Sequence, residues 1–223
     1  MKQAIDITDY EVAYEDSWVR CKALSYLHSQ FHDQMSRNKD RYSLVEDGYN
    51  EVIELIALDG QKVVGLIDVG VYSEERSRHD VYVPHAHQGA YLDSIAVHPD
   101  YQKSGIAQSL WNQVVDQLKE KQVDYLTIFT RDDIAANAFY QKNGAQLLTK
   151  HYRVLGKPKQ DTYKRGRFSV DLEHNRIGEW TAESQPIPFV PDYPHTFWVF
   201  EESDLGLFDA ESVTAEYTYV LYI

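Results

Sequence analysis

The chain has 223 residues, 43% of them apolar, with 35 acidic and 22 basic side chains and a formal net charge of −13. That length supports one full core plus an appendage, and the acidic balance argues against nucleic acid and agrees with a cationic substrate, while serving solubility equally well. No apolar run is long enough to span a bilayer and residues 1–6 lack the apolar core of a signal peptide, so a cytoplasmic protein with no membrane partner is expected; the single cysteine, Cys21, excludes an intrachain disulfide and a cysteine-based zinc cluster.

Residues 3–9 read as a first strand. Asp16 and Ser17 open an amphipathic helix carrying Trp18, Val19, Leu24, Tyr26 and Leu27, and a second helical piece is expected over residues 31–37. Residues 51–58 and 62–73 have strand character and are joined by Asp59-Gly60, a strong hairpin dipeptide. A polar loop with Arg76, Arg78, His79, His85 and His87 leads to a strand beginning near Ala90. Alternation along that strand puts Tyr91, Asp93 and Ile95 on one face.

The strand ends in Ile95-Ala96-Val97-His98-Pro99 and passes through Gln102-Lys103-Ser104-Gly105-Ile106-Ala107 into a helix. The first turn of a helix carries N–H groups without intrahelical partners, and the helix dipole adds partial positive charge there, so an anion is favoured. Gly105 lets a bulky phosphate approach the backbone, and Ala107 keeps the next position small. Ile106, Leu110, Val114 and Leu118 recur every four residues, with Trp111 and Val115 widening the stripe, so the helix docks on a sheet. Residues 125–130 have the β-branched and aromatic bias of a strand. Asp132 or Asp133 caps the helix that follows, and Gly144 suits its left-handed C-terminal position.

Glycines and prolines break residues 156–223 into short pieces, with strands expected over 168–172, 196–200 and 217–222. The aromatic load of this region exceeds that of a solvated tail. It reads as a β-rich extension packing on the preceding sheet or on that of a second subunit. Residues 201–216 hold six acids and no Lys or Arg, which reads as solvated surface.

The segments around Gly105 and Tyr140 resemble the GNAT superfamily of acetyl-CoA-dependent N-acetyltransferases. Its signature is a strand ending in apolar-Ala-Val-x-Pro, then Gln/Arg-x-x-Gly-x-Gly/Ala, then Asn-x-x-Ala-x-x-apolar-Tyr-x-Lys-x-Gly. Ala136, Phe139, Tyr140, Lys142 and Gly144 fit the last segment, with Asp133 where Asn is common and Ala145 where Phe is common. The resemblance covers residues 1–155 and implies an α/β fold, a mixed sheet of the GNAT acyl-CoA N-acyltransferase type, with residues 156–223 as the C-terminal extension. It implies acetyl-CoA as cosubstrate, its pyrophosphate on Gln102, Lys103, Ser104, Gly105, Ile106 and Ala107. Its pantetheine amides would pair with Ile95, Ala96 and Val97, whose last N–H polarises the thioester carbonyl. Asp133 and Ala136 belong to the segment that flanks the arm. Lys157, Lys159, Lys164, Arg165 and Arg167 read as a solvated turn or as contacts to the coenzyme 3′-phosphate.

On the same resemblance Tyr140 is the general acid for the departing thiolate. Asp93 is the base, directly or through water, or else it pins a neighbouring loop or binds the substrate ammonium without accepting its proton. The expected reaction is direct transfer to a primary amine of a small molecule or peptide in a ternary complex, because Cys21 lies in an N-terminal helix. No metal is expected: His28 and His32, four apart on an expected helix, lack a third ligand in register, and His85 and His87, near His79 and Asp80, read as lining the acceptor entrance. A triphosphate loop is disfavoured because no Lys-Ser/Thr follows the glycine. The alternative is an acyl-CoA-binding module without turnover. A homodimer through the C-terminal strands is a further expectation, whereas the acceptor is built from variable helices and loops and is not legible.

Overall fold

The computed structural model describes residues 5–27, 29–84 and 86–223. The chain divides into two compact units, residues 1–128 with 221–223, and residues 129–220. The expected strand over 3–9 is observed as β1 (Asp6–Asp9), while residues 3 and 4 lie outside the described residues.

The first unit continues with α1 (Glu15–Tyr26), β2 (Tyr49–Asp59), β3 (Lys62–Tyr72), α2 (Glu74–Arg78), β4 (Gly89–Val97), α3 (Ile106–Glu120) and the start of β5 (Tyr125–Arg131). Its strands lie in the order β1-β2-β3-β4-β5. The first four pair antiparallel, and β4 pairs parallel with β5, a pairing that requires the α3 crossover. The β2–β3 hairpin turns through Gly60 and Gln61, with Gly60 at φ +62°. β3 is buried from Val63 to Tyr72, as a strand covered on both faces must be. Leu66 joins Trp18 and Cys21 of α1 in one cluster, together with Ile56, Leu58 and Ala96. On the other face a Cβ at Gly65 would lie 2.5 Å from Ile106, so glycine is what lets α3 approach β3. The α3 stripe is buried as the periodicity predicts, at Ile106, Leu110, Trp111, Val114 and Leu118.

Two local expectations are corrected. In place of a helix over 31–37 there is one 3-10 turn, His32–Gln34. Ser29 and Ser36 hydroxyls accept from the Phe31 and Asn38 backbone N–H groups, local bonds that compete with a continuing helix. The expected polar loop begins with α2, whose Ser73 side chain caps the Arg76 N–H and whose first turn carries Glu74 and Glu75.

The second unit holds α4 (Ile134–Lys142), β6 (Gln146–Pro158), β7 (Arg165–Asp171), β8 (Arg176–Thr181), β9 (Pro186–Ile187), β10 (Phe189–Tyr193), β11 (Thr196–Val199) and all but the last two residues of β12 (Phe208–Tyr222). β12, β6, β11 and β10 are consecutive antiparallel neighbours, and β7-β8-β9 form a separate small sheet. Its core gathers Tyr152, Val154, Phe189, Val199 and Phe208, with Phe189 edge-on to Phe208 at 5.0 Å. The acidic stretch 201–216 is not all solvated surface: Glu216 is 3% exposed and accepts from His151 at 2.9 Å. A buried carboxylate persists only with such partners.

Candidate functional site

β4 leaves the sheet at Val97, and the turn that follows is tightly made. The His98 N–H donates to the Val64 carbonyl, Pro99–Tyr101 form a 3-10 turn, and the Tyr101 hydroxyl donates to Asp59 at 2.7 Å. Lys103 and Gly105 both take positive φ, +59° and +87°. Gly105 is the N-cap of α3, so no side chain caps the helix, and its first turn carries no acid. The N–H groups of Ile106 and Ala107 are left without intrahelical acceptors. A Cβ at Gly105 would meet nothing within 4 Å, so the approach to these donors is open. Gln102, Lys103 and Ser104 are exposed beside it, whereas the Ile106 side chain is buried and offers only its backbone.

β4 also has an open edge. Its ladder with β3 runs to Gly65↔Val97, but its ladder with β5 ends at Leu92↔Ile128. Beyond Leu92 the β5 side of Ile95, Ala96 and Val97 has no ladder within this unit, and an extended amide-bearing chain can pair there. Gln102 Nε2 reaches the Val97 carbonyl at this end only over a long 3.5 Å. Open helix donors and an open strand edge fit a diphosphate joined to an amide-bearing arm.

Asp93 is the bulged residue of β4: Ser94 is opposite Asp68 and Leu92 opposite Val69, so Asp93 has no partner in the register. It is exposed, and its Oδ2 accepts from the Tyr42 hydroxyl at 2.7 Å. The same hydroxyl is 3.2 Å from Asp68 Oδ2, which accepts from Lys39 Nζ at 2.9 Å. Lys39 also pairs with Glu54 and lies over the rings of Trp18, Tyr10 and Tyr42. Lys39 and Asp68 are only 2% and 1% exposed.

Burial pushes the Asp68 carboxyl up to about 6, against the pull of Lys39. Burial also opposes the charge of Lys39, but Asp68 and Glu54 together outweigh it and hold its pKa above the ordinary lysine value. Because the folded value of Asp68 lies above its unfolded value of 3.8, its contribution to stability is fully present below that value and is lost as pH rises through 6. Removing Lys39 exaggerates this. Lys39→Met leaves Asp68 and Glu54 without their cation and should destabilise the protein by about 3–5 kcal/mol. Urea denaturation should show a larger loss at pH 8, where Asp68 is ionised, than at pH 5.

Next to this network is a groove of 1040 Å³ lined by Tyr49, Tyr72, Tyr82, Arg76, Glu75 and Asp80, among others. The Tyr49 and Tyr72 rings are parallel within 1°, and the Arg76 guanidinium lies over both, at 4.8 and 4.2 Å. Tyr42 packs edge-on to Tyr49, which links the groove to the Asp93 network. Burial, then the charge of Asp93, pushes the Tyr91 hydroxyl up. Neither the groove nor the Lys39–Asp68 pair is foreseen from the sequence. The available signal was Asp68 itself, a lone carboxylate in the apolar run Val63-Val64-Gly65-Leu66-Ile67-Asp68-Val69.

The structure gathers Asp93, Ile95, Ala96, Val97, Gln102, Lys103, Ser104, Gly105, Ile106 and Ala107 in the first unit, and places Asp133, Ala136 and Tyr140 in the second. Asp133 is the N-cap of α4, its Oδ1 accepting from the Ala136 N–H at 2.9 Å. Tyr140 is 6% exposed and packs against Phe139 and Tyr219. Burial, then Asp133, pushes its hydroxyl pKa up, so the phenol keeps its proton at neutral pH. Arg165 is engaged with Asp161 and Glu179, and Arg167 lies over Trp180. His28 and His85 lie outside the described residues. Among the described residues no three His, Cys, Asp or Glu side chains are grouped to hold a metal.

The first unit is thus a mixed sheet whose parallel β4–β5 ladder is cut short beside a glycine-capped helix. The acetyltransferase (GNAT) family matches residues 11–145, and the chain belongs to that family. Among solved structures it is similar to NAA60 of Arabidopsis thaliana in complex with a bisubstrate analogue, at 14% identity over 99% of this chain and 98% of that one, with a TM-score of 0.51. An acetyltransferase from Streptococcus agalactiae 2603 gives 15% identity over 99% of both chains and a TM-score of 0.50. At these identities the likeness is one of fold. No curated protein matches the chain.

Proposed function

We propose that the protein is an N-acetyltransferase that moves the acetyl group of acetyl-CoA to a primary amine by direct attack in a ternary complex. The observation that carries this reading is the β4–α3 turn, with open helix donors on one side of Gly105 and an open strand edge leading to it. Bound there, acetyl-CoA supplies an acyl group activated as a thioester. The first-turn N–H groups of α3, with Gln102, Lys103 and Ser104, hold the diphosphate. The edges of Ile95, Ala96 and Val97 hold the amides of the arm, and the Val97 N–H stabilises charge on the acyl oxygen. Ala136, next to the Asp133 cap, belongs to the segment that flanks the arm.

Asp93 receives the proton that the ammonium must lose, and Tyr140 donates one to the departing sulfur. Direct attack is supported by Cys21, which is 1% exposed and whose thiol burial pushes up to about 11, leaving little thiolate for an acyl-cysteine. The groove next to the Asp93 network is lined by Glu46, Asp47, Glu75 and Asp80 against Arg76, which already covers the Tyr49 and Tyr72 rings, and this excess of acids favours a cationic amine on a small molecule or peptide. In this reading residues 1–155 form the transferase domain and residues 156–223 the extension. The protein works in the cytoplasm and pairs through its C-terminal strands, a dimer that light scattering would reveal.

Calorimetry with acetyl-CoA and, separately, ATP tests the cradle, and a panel of spermidine, tyramine and L-lysine amide tests turnover. Micromolar binding of acetyl-CoA alone is expected. No binding would remove the transferase reading.

A further inference from the structure

Tyr42 has one hydroxyl proton and two carboxylates to serve, Asp93 Oδ2 at 2.7 Å and Asp68 Oδ2 at 3.2 Å. Asp68 Oδ2 also faces Lys39 Nζ at 2.9 Å and the Ser94 hydroxyl at 3.5 Å, while its other oxygen, Oδ1, is buried with no hydrogen-bond partner among the described residues. A buried carboxylate oxygen without a donor is costly, and one added proton relieves it. The cluster as a whole sets one lysine against three carboxylates, those of Asp68, Glu54 and Asp93. It is therefore short of a proton, and its outer end, Asp93, is exposed.

We propose that Asp93, Tyr42 and Asp68 form a hydrogen-bonded chain that takes the proton of the acceptor ammonium inward, with Lys39 as the clamp that fixes its buried end. This rests on the transferase reading above and deepens it. The ammonium N–H bond breaks and its proton joins the Asp93 carboxylate, leaving a neutral amine with a free electron pair. The Asp93 O–H then donates to the Tyr42 oxygen as the Tyr42 proton passes to Asp68, so Asp68 becomes the neutral acid and Asp93 is again a carboxylate. Running the same two transfers backward after turnover returns the proton to solvent at Asp93. No other reactant is consumed.

The bulge at Asp93 is what makes the chain geometrically possible. It brings a carboxylate out of the β4 ladder while Ser94, the next residue, remains opposite Asp68. Tyr42 precedes β2, and its ring carries the Lys39 ammonium at 5.1 Å, so the clamp orders the link as well as the end. Burial, with Asp68 and Asp93 next, pushes the Tyr42 hydroxyl pKa well up, so the link carries its proton rather than losing it. The groups facing Asp68 are Lys39 and Tyr42 from the loop before β2, Glu54 from β2 and Asp93 from β4, with Tyr10 and Glu15 on the far side of Lys39. The elevated Asp68 value, about 6, agrees with a site that fills near neutrality. Tyr42 and Asp68 act through Asp93 and are positioning residues.

Two measurements test the chain. Carbon-13 titration of aspartate-labelled protein follows the Asp68 carboxyl without any substrate. Its midpoint should fall in Asp93→Asn, which removes a neighbouring negative charge, and shift again in Tyr42→Phe. With the panel amine that turns over fastest, Tyr42→Phe should lower kcat by about 10- to 100-fold. It should also move the acid limb of the pH profile and leave the acetyl-CoA KM unchanged. Asp93→Asn alters an exposed side chain, so it reads the coupling even if Tyr42→Phe folds poorly. An Asp68 midpoint indifferent to both substitutions overturns the chain. So does turnover with wild-type kcat and pH profile in Tyr42→Phe. A wild type that acetylates no panel amine overturns the transferase reading itself.

Discussion

Gly105→Glu should abolish acetyl-CoA binding, by at least about 100-fold in calorimetry, while the far-ultraviolet circular dichroism and urea midpoint stay close to wild type. Gly105 is at φ +87°, where a side chain costs about 1–2 kcal/mol. A Cβ there meets no atom within 4 Å, so no clash is added to the strain. A carboxylate at a helix N-terminus stabilises the helix by about 0.3–1 kcal/mol, which offsets part of it. The fold therefore survives.

The ligand site does not. The new carboxylate occupies the donors that the diphosphate needs and repels its charge at a few ångströms, where two unit charges interact by about 4 kcal/mol near a protein surface. Gly105→Ala separates charge from bulk, since it carries the same backbone strain and places a Cβ on the diphosphate's approach but adds no charge, and it should weaken binding much less than Gly105→Glu. Binding retained by Gly105→Glu would remove the diphosphate from residues 102–107.

Legibility in the sequence followed the range of the interaction. The β4–α3 turn is a local object: an apolar strand, a glycine and a four-residue periodicity specify it within a few turns of chain, and Ile106, Leu110, Val114 and Leu118 are buried as that pattern requires. The same is true of the β2–β3 hairpin at Gly60 and of Asp133 as the cap of α4. The 31–37 segment failed because its serines bond their own backbone, a choice that apolar spacing does not register. The Asp93 network was invisible for the opposite reason. Lys39, Tyr42, Asp68 and Asp93 come from a loop and two strands, and only the β3–β4 register with its bulge brings them within hydrogen-bond reach. Alternation puts Asp93 on one face with Tyr91 and Ile95, but the bulge at Asp93 breaks that period: Tyr91 lies opposite Gly70 and Ile95 opposite Ile67, on opposite faces of the sheet. The partners of Asp93 required the fold. Glu216 makes the same point in the second unit, where an acid in an acidic stretch becomes a buried partner of His151 once β12 pairs with β6.

Tyr140→Phe should lower kcat by about 10²- to 10⁴-fold, the range for a well-placed general acid, and leave acetyl-CoA affinity unchanged. The substitution keeps the ring, and with it the packing against Phe139 and Tyr219 on a helix whose start is fixed by Asp133. What is lost is one O–H group. Burial raises the pKa of that group above the ordinary value of 10.0, so the wild-type acid stays protonated through alkaline pH and imposes no fall in rate before that value. A wild-type basic limb below pH 9 would then belong to another group, and it should persist in the low residual rate of Tyr140→Phe. Wild-type kcat in the variant would remove Tyr140 from the chemistry. If instead the wild type binds acetyl-CoA but turns over no amine on the panel, there is no acid catalysis to lose. Tyr140 then serves packing alone, and the chain is an acyl-CoA-binding module built on a transferase fold. Affinity and turnover therefore have to be read on the same preparation, because a catalyst and a module differ only in the second.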